Sequence, residues 1–163
     1  MLVLAGFTMT GMAQEGYPNR PITLIVPSAP GGTTDFTARL IAEPLTKALG
    51  QPVVVENKGG ASGSIGAAAV ASAPADGYTF AVVFDSHGVN PSLIPNLPFD
   101  SKKDLSPVVL VGTAPMLIGT PVASEFKTFG DVVAASRNAK GVSYGTIGSG
   151  SLGHLAMSLL GKG

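Results

Sequence analysis

The sequence predicts an α/β fold built on a parallel sheet. Three observations carry this: β-branched runs at residues 22–26, 53–56 and 79–84, helix-forming stretches between them, and glycine turns at the junctions. Strand, helix, strand, helix, strand in close succession is a βαβαβ pattern with right-handed crossovers. In such sheets ligands sit beyond the carboxyl ends of the strands, where this chain carries its glycine loops.

The first run, ITLIV at 22–26, is apolar throughout, as a strand covered on both faces should be. It breaks at Pro27 and Pro30 into Gly31 and Gly32, and Thr33, Thr34 and Asp35 open a helix. Phe36, Leu40, Ile41, Leu45 and Leu49 recur at helical spacing and Gly50 is a natural stop. Pro44 lies inside that helix, where it costs about 3 kcal/mol unless the axis bends. A kink is therefore expected near residues 40–44.

VVVE at 53–56 reads as a second buried strand, NKGGASG at 57–63 as a glycine loop, and residues 64–73 as a closely packing alanine-rich helix. TFAVVF at 79–84 is the third strand. Residues 85–104 hold three prolines and little periodicity, which predicts an ordered surface loop. PVVLVGTAPMLIG at 107–119 predicts strands crossing between two lobes, residues 128–139 a helix, VSYGT at 142–146 a strand, GSGSLG at 148–153 a third glycine loop, and residues 154–160 a helix. One strand and two helices cannot close a core, so the chain is expected to be a fragment of a longer protein.

Composition narrows the function. The 163 residues carry ten basic and ten acidic side chains, a formal net charge of zero, and only 12% charged residues. Nucleic-acid binding needs a clustered Lys/Arg excess, and none is present. With no cysteine, disulfides and thiolate chemistry are excluded. MLVLAGFTMTGMA at 1–13 is apolar, shorter than the about 20 residues of a membrane-spanning helix, and ends in small residues at signal-peptidase positions. It reads as a signal peptide incomplete at its start, since no Lys or Arg precedes Arg20.

Candidate enzymatic motifs are near misses. None of the glycine loops contains GxxxxGK[ST], and the glycines at 60, 63 and 66 approach GxGxxG without matching it. A serine elbow needs GxSxG, but Ser151 has Ser149 and Gly153 at the glycine places, and Ser64 has Ser62 and Gly66. His154 is placed to cap or pack locally, and His87 has no second metal ligand by spacing. Neither a metal site nor a cofactor is expected. The loop at 59–63 reads first as a structural turn. The loops holding Ser28 and Asp35, and Thr146 and Ser151, instead combine glycine with several hydroxyls, offering N–H and O–H donors to a carboxylate without a buried cation. Asp35 at a helix start reads first as a capping residue.

The segments YPNRPITLIVPSAPGGTTDFTARLIAEPLTKALGQPVVVENKGGASGSIGAAAVASAPADGYTF, NPSLIPNLPFD, KDLSPVVLV and YGTIGSGSLGHLA, in this order and spacing, resemble the substrate-binding proteins of tripartite tricarboxylate transporters, the Bug-type periplasmic receptors. The resemblance covers residues 17–160. It implies a periplasmic-binding-protein-like flytrap whose second lobe is incomplete here: a first α/β lobe at 17–106, then crossing strands and the start of the second lobe at 107–163. It also implies a small organic acid, mono- or dicarboxylate or a related amide or aromatic acid, handed to membrane permease subunits from the periplasm by a protein that is monomeric when full length. By position, Ser28, Ala29, Pro30, Gly31, Gly32, Thr33, Thr34 and Asp35 would form the first lobe's ligand loop. Thr146, Gly148, Ser149, Gly150, Ser151 and His154 would form the second lobe's loop, with Ser86 as a further pocket residue. The competing readings are a fragment of an α/β enzyme, serine hydrolase or nucleotide-dependent, and a non-functional truncated remnant.

Overall fold

A computed structural model describes residues 16–138 and 141–162; the expected signal peptide at 1–13 lies outside them. Three parallel strands, β1 (Ile22–Val26), β2 (Val53–Asn57) and β3 (Thr79–Ala81), form one sheet in the order β2-β1-β3. Ile22 to Val26 run in register with Val53 to Asn57 on one side, and Thr23 to Ile25 with Thr79 to Ala81 on the other. β1 is central and four of its five residues are buried, as its uninterrupted apolar sequence requires. β2 is an edge strand instead of the doubly buried strand expected: its exposure alternates, and Val54 is 48% exposed while Val53 and Val55 pack inward. The period of two along the pleat turns each alternate side chain outward where no helix covers it.

Helix α1 (Thr33–Leu49) packs on β1 and β2, and α2 (Ser64–Ala71) on β1 and β3. Ile22, Leu24 and Ala42 form a core with Ile41, Val53, Val55, Tyr78 and Phe80 around it. Burying each large aliphatic side chain contributes about 1.5–3 kcal/mol. Gly50 ends α1 in the left-handed region (φ 67°), donating its N–H to Thr46 O. Thr46 ties the helix to the sheet, its hydroxyl donating to Ala42 O and accepting from Val53 N, both at 2.9 Å. α1 is continuous from Thr33 to Leu49 with Pro44 inside it. The residue whose carbonyl loses its partner, Leu40, is 63% exposed, so water can satisfy that oxygen.

The expected loop at 85–104 contains a helix, α3 (Ser86–Leu93), started by Asp85, whose Oδ1 accepts Ser86 N at 2.8 Å. Gly88 and Pro91 hide it from pattern reading. α4 (Phe129–Ser136) begins with a capping box in which Thr128 and Asp131 exchange hydrogen bonds. α5 (Leu152–Leu160) starts two residues earlier than expected, behind Ser151. Neither 107–119 nor 142–146 forms a strand. Their β-branched residues have the propensity, but a strand exists only by pairing, and no described residue pairs with them. Val108, Leu110 and Leu117 are 74%, 79% and 83% exposed.

Candidate ligand site

β1 ends in Val26, which is fully buried, and the chain leaves the sheet at Pro27 and Ser28. The loop that follows is held from behind. Asp35, only 4% exposed, accepts Gly31 N at 2.9 Å and takes both oxygens to Arg39 Nε at 3.1 Å. Arg39 also donates to Asn57 Oδ1, and Asn57 Nδ2 donates to Ser28 O. The Arg39 hydrogen bond, then the Gly31 N–H, lower the Asp35 carboxyl to about 2. Asp35 thus holds its own loop. The N-cap of α1 is Gly32, which has no side chain to cap it, so the amides of the first turn have no side-chain partner among the described residues.

A second uncapped N-terminus stands beside the first. Gly63 is the N-cap of α2, again with no side-chain cap. Here the glycines are required by space: a Cβ on Gly66 would lie 2.7 Å from both Lys58 O and Pro27 Cβ, and one on Gly63 would lie 3.1 Å from Pro27 O. The loop at 59–63 therefore is a tight structural turn, as expected, yet it also brings Ser62 to the site. Between these two helix starts and the start of α3 lies a cleft of about 60 Å³. Pro27, Ser28, Thr34, Ser62, Gly63 and Ser86 line it, with Val83, Phe84, His87 and Asn90. His87 lies on α3 with its ring parallel to Phe99, and burial lowers its pKa, which favours the neutral imidazole.

Of the residues singled out in the sequence, Ser28, Thr34 and Ser86 line this cleft. Ala29, Pro30, Gly31, Gly32 and Thr33 sit on the exposed rim of the same loop. Thr146, Gly148, Ser149, Gly150, Ser151 and His154 do not line it. Their loop is closed on itself: Ser151 Oγ donates to Gly148 O at 2.7 Å and accepts His154 N, and His154 Nδ1 accepts Gly150 N at 3.0 Å. Gly148 N donates to Thr146 Oγ1 at 3.4 Å. His154 therefore caps locally, and with Ser151 Oγ committed to a carbonyl the serine–histidine pair has no nucleophile–base geometry.

Sequence reasoning missed three residues. Asn90 and Ser62 meet across 28 positions, Nδ2 donating to Ser62 O at 2.8 Å. Asp85 links the two loop systems, because its second oxygen accepts Leu152 N, the first amide of α5, at 2.9 Å. Only the Asp-Ser step before α3 could have hinted at that cap. Among the described residues no three His, Asp or Glu side chains come together as a metal site.

Comparison with known proteins agrees with this architecture. The model of the tripartite tricarboxylate transporter family receptor matches residues 37–162. A protein from the TAR-I ttuE-ttuC' intergenic region of Agrobacterium vitis is 44% identical over 149 residues, 91% of this chain and 43% of its own length. BugT of Bordetella pertussis is 39% identical over 151 residues, covering 91% of this chain and 46% of BugT. The chain spans about half the length of the curated relatives it matches. Among solved structures, Rpa4515 of R. palustris with adipate superposes with a TM-score of 0.80 at 36% identity, over 88% of this chain and 49% of that one. MatC (Rpa3494) from Rhodopseudomonas palustris with bound malate gives 0.53 at 41% identity, over 58% and 33%.

Proposed function

The chain belongs to the tripartite tricarboxylate transporter receptor family, and from that premise we propose that it binds a small carboxylate at the cleft between the starts of α1, α2 and α3. The family's members are receptors, not enzymes, which removes the hydrolase and nucleotide readings. One observation carries the proposal: the two helices that open onto the cleft beside Ser28 and Ser62, α1 and α2, both begin at a glycine with no side-chain cap. Ser64 N–H, the first amide of α2, already donates to Ala61 O, so the open amides are those of α1, and the aligned dipoles of both helices favour an anion there. The hydroxyls of Ser28, Thr34 and Ser86 add donors, and among the described residues no Lys or Arg lines the cleft, so the site suits a carboxylate held by neutral donors.

The bound adipate and malate of the two superposed neighbours support the same ligand class. In this reading residues 17–106 form one lobe of a flytrap, and the 146–154 loop, tied to it through Asp85, belongs to the second. The protein works in the periplasm, as BugD, a periplasmic binding protein at 44% identity, does, and delivers its ligand to a membrane permease. Titration calorimetry against mono- and dicarboxylic acids tests the reading. Saturable binding of at least one acid is expected; a folded protein that binds none of them contradicts it.

A further inference from the structure

Asn90 is 2% exposed, the lowest value among the buried polar residues described, yet only half of its amide is used. Its Nδ2 donates to Ser62 O at 2.8 Å. That contact fixes the orientation of the amide, because the flipped form would set two acceptors against each other. The atom left over is therefore Oδ1, an acceptor, and it has no partner among the described residues. Buried acceptors are nearly always paired in native proteins, and Asn90 is one of the residues that line the cleft.

The turn that Asn90 grips is itself strained. Ala61 and Ser62 stand consecutively in the left-handed region at φ 46° and 54°, without being glycine. Such strain persists where the surroundings over-determine it, characteristically at ligand clamps. Hydroxyls at Ser28, Thr34 and Ser86 can rotate to donate or accept, whereas Oδ1 can only accept. A carboxylate supplies acceptors alone and cannot satisfy it. A second group on the ligand, one that donates, can.

We infer that Asn90 Oδ1 receives a hydrogen bond from a donor on the ligand, so that the cleft selects carboxylates bearing a hydroxyl or an ammonium group over those bearing neither; this rests on the carboxylate reading above. Asn90 has two linked tasks: its Nδ2 holds the Ser62 turn, and its Oδ1 reads the group beside the carboxylate.

Calorimetry with matched acids tests it. Malate and aspartate share the frame of succinate and add a hydroxyl or an ammonium; lactate and alanine stand in the same relation to propionate. The expected result is a preference of about tenfold or more for a substituted acid over its plain partner, with the hydroxyl and ammonium arms telling which donor is read. In Asn90→Leu the preference should fall to about onefold. If Asn90→Leu does not fold, the wild-type preference decides alone. Plain and substituted acids binding equally well, as they would if a water held Oδ1, overturn the inference and leave the carboxylate site standing. No binding of any acid overturns both.

Discussion

Two loops of nearly the same composition, Ser28 to Asp35 and Thr146 to His154, behave in opposite ways. Both are rich in glycine and hydroxyls and both open a helix. The first begins its helix with Gly32, and its one anchoring side chain, Asp35, reaches back to Gly31 and leaves the helix start open. The second begins its helix with Ser151, which caps His154 N, while His154 returns to Gly150 and Asp85 takes Leu152 N. A donor inventory counts both loops as anion sites; only the pattern of partners separates an open helix start from a closed one.

The largest expected effect breaks the frame behind the open loop. Gly66→Ala puts a Cβ 2.7 Å from Lys58 O and Pro27 Cβ, and overpacking of this kind costs about 1–3 kcal/mol. Gly145→Ala, beside the closed loop, meets nothing within 4 Å and should leave stability unchanged. Urea denaturation of the two variants makes the comparison. Next in size is Ser151→Ala, which removes a helix cap and should cost about 1 kcal/mol in the same assay with carboxylate affinity retained, because Ser151 serves its own helix.

Acid stability also separates the loops. Asp35 is held near 2 by Arg39 and Gly31 against an ordinary 3.8. A depressed carboxyl stabilises the fold above 3.8, and this contribution is lost as pH falls from there toward 2. Asp35→Asn should flatten the melting-temperature curve in that window. His87, lowered from 6.5 by burial, binds its proton more readily when unfolded, so stability should decline as pH falls below 6.5, and His87→Phe should remove that decline.

What the sequence makes legible is what depends on near neighbours. The β1-α1-β2-α2-β3 order follows from runs and spacings a few residues long, Ser28 and Thr34 from the glycine-hydroxyl loop after β1, and Ser86 from the family resemblance. The short helix α3 escapes because Gly88 and Pro91 contradict helix formation in an eight-residue segment. The runs at 107–119 and 142–146 mislead in the opposite direction, since β propensity does not supply a pairing partner. Asp85 and Asn90 are illegible for a further reason. Their partners lie 67 and 28 residues away, and only the fold brings Leu152 and Ser62 to them.

The open start of α1 is the centre of this account, and Gly32→Ser tests it most directly. Gly32 has φ −79° and ψ 169°, which serine adopts freely, and its Cβ would have room, with Ala29 O at 3.8 Å. The serine would cap α1 as Ser151 caps α5, adding a few tenths of a kcal/mol of stability while competing with the ligand for the same amides. Calorimetry should then show carboxylate affinity reduced by about tenfold in a protein that melts no lower than wild type. Unchanged affinity in that stably folded variant would contradict the carboxylate's place at the start of α1.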